Sequence, residues 1–351
     1  MNGIEHGGLD GSQAVLYDFS TNANPLGPAP AVIEALWQAD RWRYPDPNYV
    51  ALRKQLGAWH GVYPARVLPA AGTSEAIRRL TLAAWLNGVR TVWAPKPGYA
   101  DYAFAARALG LAVHEYADTD ELLGGFAAAS EAAALVWICE PISPTGQSLP
   151  ASCWPALRRL NESGNAVIAL DRAYQPLQLR GVDAVHADLA DRVWQCFSPN
   201  KALGTTGVRA GYLLTPRDPT QGLVDAMLRL SPSWVLSVEG VALLGAWVDP
   251  AVQTWPRASI DTLICWEHCQ RKTLDALGWR QQASVTPFWL VRPQQQGDVL
   301  AQRLMVLREQ GIKLRDATSL GCPGWLRVSV QSPEAQQALV DAWRRAGQGA
   351  A

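Results

Sequence analysis

From about residue 66 to 215 the chain repeats one alternation: short β-branched or apolar runs that stop at turn residues, each followed by a longer segment of helical period. The runs at 66–70, 90–94, 112–116, 134–139, 165–170, 193–197 and 208–214 read as strands, and 74–86, 99–109, 153–162 and 219–230 as helices. Strands joined through helices run mostly parallel, in a sheet covered by helices on both faces. In such sheets ligands bind outside the carboxyl ends of the strands. The residues that follow each run are therefore the first place to look for chemistry.

The remainder has a different rhythm. Residues 231–280 read as one or two long helices, with Trp234, Val235, Leu236 and Leu243 among the apolar positions. A strand at 285–292, a helix at 297–310, strands at 312–316 and 325–330 and a helix at 333–346 make a smaller α+β lobe. The first 30 residues, rich in Gly, Pro and Asn, read as an extended arm. The expected organisation is thus an arm at 1–30, a large domain at 31–235 and a small C-terminal domain at 236–351. A chain of 351 residues buries enough surface to be stable without staples. With 31 basic and 31 acidic residues and no charge block, neither nucleic acid nor an anionic membrane is an expected partner. No basic N-terminal patch precedes an apolar stretch, and no apolar run reaches the roughly 18 residues of a spanning helix. The expectation is a soluble, cytoplasmic protein. Six scattered cysteines do not form a disulfide framework. Cys265, His268 and Cys269 cluster, but a metal needs two further ligands, so the thiols read as buried or half-buried and the metal expectation is none.

The strand ends carry a constellation. Asp171 follows Ala166-Val167-Ile168-Ala169-Leu170, with Tyr174 three residues on. Lys201 ends Ser198-Pro199-Asn200-Lys201 after the strand that closes at Phe197, and Arg209 comes eight residues later. Gly72-Thr73-Ser74-Glu75 follows the first strand and opens a helix. Each feature alone is ordinary: a loop lysine, a helix-capping Asp, an N-cap turn. Together they supply what pyridoxal 5'-phosphate (PLP) requires. A lysine amine makes the covalent attachment, and a carboxylate keeps the pyridine nitrogen protonated. A helix N-terminus and an arginine take the phosphate, and an aromatic face stacks on the ring.

In these residues nearly the whole chain resembles the fold-type-I PLP enzymes, the aspartate aminotransferase superfamily. The resemblance implies an α/β fold of the PLP-dependent transferase type. It makes Lys201 the Schiff-base lysine, Asp171 the partner of the pyridine nitrogen and Tyr174 a donor to the ring oxygen. Thr73, Ser74, Ser198 and Arg209 would hold the phosphate. Tyr99, in Pro97-Gly98-Tyr99-Ala100-Asp101-Tyr102, would stack on the ring. The resemblance also implies a homodimer, in which Tyr44 of Arg43-Tyr44-Pro45-Asp46 reaches the neighbour's phosphate site. Arg327, in Leu326-Arg327-Val328-Ser329-Val330, would clamp the substrate carboxylate bidentately. Two positions depart from the family pattern. Ser143, in Ser143-Pro144-Thr145-Gly146, stands where the family has Asn, a shorter side chain at the ring oxygen. Arg172 replaces an acidic residue after Asp171, and reads as an outward-facing turn residue.

The N-terminal sequence narrows the branch. His6-Gly7-Gly8, then Asp18-Phe19-Ser20-Thr21-Asn22-Ala23-Asn24-Pro25-Leu26-Gly27, is similar to threonine-phosphate decarboxylases of cobalamin biosynthesis and, more loosely, to histidinol-phosphate aminotransferases. Both groups take small-molecule substrates that bear a phosphate, which requires a second cationic clamp. Arg315, in Lys313-Leu314-Arg315-Asp316, matches it, with His6 and Asn24 as further substrate contacts. His6 also reads as a plain terminal residue, and Asn24 before Pro25 as a turn former. The expectation is a decarboxylase of O-phospho-L-threonine giving aminopropanol phosphate; the alternative is an aminotransferase of the histidinol-phosphate type. A regulator fused to a DNA-binding domain finds no room before the core, and Gly204-Thr205-Thr206-Gly207 has neither the Rossmann nor the P-loop spacing.

Overall fold

A computed structural model of the chain describes residues 7–11, 14–128 and 133–348. The arm carries β1 (Tyr17–Asp18). The large lobe contains α1 (Pro30–Trp37), α2 (Val50–His60), β2 (Val67–Ala70), α3 (Thr73–Leu86), β3 (Thr91–Pro95), α4 (Asp101–Arg107), β4 (Ala112–Tyr116), α5 (Thr119–Ala128) and β5 (Ala134–Cys139). It continues through α6 (Cys153–Glu162), β6 (Ala166–Asp171), α7 (Ala187–Ala190), β7 (Trp194–Phe197), β8 (Gly211–Leu214), α8 (Gln221–Arg229) and α9 (Val238–Trp247). The long α10 (Pro250–Ala276) leads to β9 (Arg280–Gln281), β10 (Phe288–Arg292), α11 (Gly297–Glu309), β11 (Ile312–Lys313), β12 (Arg315–Asp316), β13 (Leu326–Ser329) and α12 (Pro333–Gln348).

The large sheet has seven strands in the order β2-β8-β7-β6-β5-β3-β4. All neighbouring pairs are parallel except those of β8, which runs antiparallel to both β2 and β7. Pro69 cannot donate to a ladder, and it sits on β2, an edge strand, where a missing donor is tolerated. The interior β5 is apolar and buried at all six residues, as a strand covered on both faces must be. Its side chains alternate between two cores. Leu135 and Trp137 join the cluster under α3, α4 and α8, while Val136 and Ile138 join Trp154 and Leu157 of α6 on the other face. A third cluster packs α1, α2 and α9 against Val67, Phe197, Tyr212 and Leu214.

The smaller lobe is an antiparallel sheet, β12-β13-β10-β9, packed against α10, α11 and α12 around Leu263, Trp289, Val328 and Trp343. The expected strand at 312–316 is divided: β11 pairs in parallel with β1 of the arm, and β12 pairs with β13. The arm is thereby sewn into the small lobe, with Phe19 fully buried there. Residue 235, the expected boundary, precedes α9, yet Leu243, Leu244 and Trp247 lie in the large lobe's core. The change of core occurs within α10, between Val252 and Leu263. Helices α1, α2, α5 and the short α7 had no counterpart in the sequence-based expectation. Cys265 and Cys269 are exposed on α10, against the expectation of buried or half-buried thiols. Among the described residues no helix is long and apolar enough to cross a membrane.

The turn after β5 is one place where the lobes touch. Gly146 has φ of 73°, and a Cβ there would lie 2.5 Å from Phe288 O and Thr286 Oγ1, and closer still to Ser284 Oγ. Backbone and short side chains cannot move aside cheaply, and the left-handed conformation adds strain. Gly146→Ala is expected to destabilise the protein by about 2 kcal/mol or more, measured by urea unfolding.

Candidate active site

The carboxyl ends of β2, β3, β5, β6 and β7 open on one edge of the sheet, and Arg209 reaches that edge because the strand after it, β8, runs the other way. A cavity of about 240 Å³ lies there, lined by Thr73, Ser74, Tyr99, Ser143, Asp171, Tyr174, Ser198, Lys201, Arg209, Arg315 and Arg327. Eleven expected site residues, drawn from five strand-end loops of the large lobe and two strands of the small lobe, thus surround one space.

Asp171 closes β6 and is buried, 4 % exposed. Its Oδ2 accepts a 2.7 Å hydrogen bond from the Tyr102 hydroxyl, and its Oδ1 accepts one of 3.0 Å from the Ala173 N–H. Burial pushes the carboxyl above its ordinary range, while Lys201, Tyr102 and the Ala173 N–H pull it back. Lys201 sits in a turn tied down on all sides. Its carbonyl accepts from the Asn24 N–H at 2.9 Å, Ser198 Oγ donates to Asn200 Oδ1 at 2.9 Å, and Asn200 Nδ2 donates to Val208 O at 3.3 Å. Its Nζ lies 4.9 Å from the centre of the Tyr174 ring, which packs in turn on Phe288 at 4.7 Å.

The phosphate end of the cofactor fits the first turn of α3. Thr73 Oγ1 is buried there and, among the described residues, has no hydrogen-bond partner. Gly72 has φ of 89°, and a Cβ on it would stand 2.7 Å from Arg209 Nη2. Only glycine leaves room for the guanidinium over the helix end. Tyr99, whose hydroxyl bonds Ser74 Oγ at 2.7 Å and Asp101 Oδ2 at 2.8 Å, is held rigidly at the same rim. Hydroxyl, guanidinium, helix terminus, carboxylate and lysine form the set that PLP needs.

On the opposite side, Arg315 of β12 and Arg327 of β13 are cross-strand partners, 3 % and 9 % exposed. Arg315 donates to Asp316 O at 2.6 Å and Ser319 Oγ at 2.8 Å, and Arg327 donates to Ser20 O at 2.6 Å.

Asn24 does not line the cavity. Its amide donates to Ala202 O and Ser259 Oγ and its oxygen accepts from the Leu26 N–H, so it supports the lysine turn from behind. Asn22 lines the cavity instead, donating to the Tyr174 hydroxyl at 3.4 Å. Its Oδ1 is buried without a hydrogen-bond partner among the described residues. Arg172 is not outward-facing: it is buried, donates to Gln195 Oε1 at 3.0 Å and pairs with Asp183. Tyr44 is 77 % exposed and stacked on Trp234 at 4.2 Å, outside this chain's cavity. His6 lies outside the described residues, although Gly7 lines the cavity. Sequence reading also missed Tyr102. The signal was its place one helical turn after Tyr99.

The family model described as aminotransferase class I and II matches residues 14–342. The chain is 31% identical over 340 residues to a histidinol-phosphate aminotransferase of Rhodospirillum rubrum, covering 92% of this chain and 88% of that enzyme. Among solved structures, the histidinol-phosphate aminotransferase of Sinorhizobium meliloti in complex with pyridoxal-5'-phosphate superposes with a TM-score of 0.80 at 21% identity, over 97% and 93% of the chains. The L-threonine-O-3-phosphate decarboxylase of Porphyromonas gingivalis does so with 0.77 at 23%, over 95% and 100%. These structural likenesses establish the fold.

Thr73→Val keeps the shape of the side chain and removes the hydroxyl. It is expected to weaken PLP binding about tenfold, the worth of one hydrogen bond to a charged group, measured by titrating the apoprotein and following tryptophan fluorescence.

Proposed function

The chain belongs to the aminotransferase class I and II family, and from that premise we propose that it moves an amino group between a phosphate-bearing amine of the histidinol-phosphate kind and an oxo acid. It is a PLP-dependent enzyme. The observation that carries the substrate class is the pair Arg315 and Arg327. Both guanidiniums stand on neighbouring strands at one cavity wall, where each can make a charge-assisted, bidentate contact with an anionic group of a substrate. The curated relatives favour transamination over decarboxylation, the reverse of the order that the N-terminal sequence suggested.

Thr73, the α3 N-terminus, Ser198 and Arg209 would hold the cofactor phosphate, Asp171 its ring nitrogen and Tyr99 its face. Bound there, PLP supplies an electron sink for the bond broken at the substrate's Cα. Lys201 provides the covalent anchor and, once released, the base that moves the proton at Cα. Arg327 orients the carboxylate of the amino donor and Arg315 the phosphate, which fixes the Cα bond that is broken. Asn22 offers its buried Oδ1 to a hydrogen-bond donor on the substrate. Tyr44, exposed on its own chain, completes the phosphate site of a second copy, so the working form is a homodimer.

One observation favours the second reading, decarboxylation of O-phospho-L-threonine. Gly7 lines the cavity and Gly8 donates to Ser20 Oγ at 2.9 Å, so the two glycines of that N-terminal motif lie at the site.

The test incubates the holoenzyme with histidinol phosphate and 2-oxoglutarate and follows glutamate over many turnovers. Sustained glutamate supports the aminotransferase. Its absence, with continuous carbon dioxide release from O-phospho-L-threonine alone, overturns it in favour of the decarboxylase. In the aminotransferase, Arg327→Ala should lower kcat/KM for glutamate by about a hundredfold and affect histidinol phosphate, which has no carboxylate, far less. Equal losses with both would contradict the assignment of Arg327.

A further inference from the structure

Tyr102 belongs to none of the roles described so far. It lies in the first turn of α4, after β3, two strands from β6, and reaches across β5 to Asp171. The side chain is fully buried, stacked on Trp137 with centroids 5.1 Å apart and edge-on to Tyr99 at 5.8 Å. The two rings fix where its hydroxyl points. That hydroxyl and the Ala173 N–H take one carboxylate oxygen each.

We propose that Tyr102 is a positioning residue that acts through Asp171, keeping the carboxylate ionised and fixed in place so that the site is ready for the ring nitrogen of PLP. This rests on the reading of Asp171 as the partner of that nitrogen. A buried carboxylate without donors takes up a proton, and a protonated acid cannot pair with a protonated ring nitrogen. The groups that face Asp171 are few. Lys201 favours the charge from the β7 loop, but it is also the group proposed to bond the cofactor. Cys139 on β5 and Cys196 on β7 are adjacent register partners, and burial raises both thiols so that they stay neutral. The Ala173 N–H is backbone. Tyr102 is the side chain whose contribution persists throughout turnover.

The test measures PLP binding to the apoprotein as a function of pH, by tryptophan fluorescence and by the visible absorbance of the bound cofactor. Affinity falls with falling pH as Asp171 takes up a proton. The cofactor phosphate also titrates, but identically for every variant. Tyr102→Phe removes one donor to the charged form and keeps the ring. The midpoint is expected to rise by about one pH unit. Tyr116→Phe, which loses a buried hydroxyl bound to Trp137 O, should leave it unchanged, and in an Asp171→Asn background Tyr102→Phe should produce no shift. Should Tyr102→Phe not fold, a fluorinated tyrosine at position 102, a stronger donor of nearly the same shape, should move the midpoint down. An unchanged midpoint in the Phe or fluorinated variant, or a shift that survives in Asp171→Asn, overturns the proposal. Failure of the wild-type protein to bind PLP would instead remove the reading of the whole site.

Discussion

Burying the Asp171 carboxylate is the constraint around which the large lobe is organised. An unpaired charge in an apolar interior costs several kcal/mol, and here it sits at 4 % exposure at the end of a central strand. The fold answers with a hydroxyl from α4, a backbone N–H from its own loop and an ammonium from the loop after β7. Those three groups must converge, and they do because parallel strands place successive loops at one edge. The same convergence brings the α3 terminus and Arg209 to the far end of the cavity. The place of the cavity follows from sheet direction, with Arg209 delivered by β8, the strand that is reversed.

The substrate side has a different origin. Arg315 and Arg327 lie on a separate antiparallel sheet, and the arm that carries Ser20, Thr21 and Asn22 is tied to that lobe through β1 and β11. The residues proposed to hold the cofactor thus come from the large lobe, and those proposed to face a substrate come largely from the small lobe and the arm. Gly146 joins them: its carbonyl accepts from the Val285 N–H at 2.8 Å, within the turn that carries Ser143. The division suits a family in which one cofactor apparatus serves many substrates, since the arginine wall can vary without disturbing the buried carboxylate.

What could be read from the sequence was local or periodic. The strand–helix alternation gave all seven strands of the large sheet, because apolar runs bounded by turns carry their own signal. Lys201, Asp171 and Arg209 were legible because a strand end fixes where a following residue stands. The failures are contacts set by distant partners. Arg172 is buried because Asp183 and Gln195 receive it, and Asn24 is turned from the cavity by Ala202 and Ser259. Tyr102 matters through Asp171, 69 residues away. Helix α5 was hidden by Gly124 and Gly125, and the lobe boundary by a helix, α10, that belongs to both cores.

Lys201, among the lysines of this chain, is proposed to carry the cofactor beside Asp171. The direct measurement is to load the protein with PLP, reduce the linkage with borohydride, digest it and map the modified peptide by mass spectrometry. The pyridoxyl group is predicted on Lys201 alone, in the peptide that follows Phe197. Stoichiometric label on Lys54, Lys96, Lys272 or Lys313, or no label on a protein that nevertheless turns over, would contradict the assignment of the site.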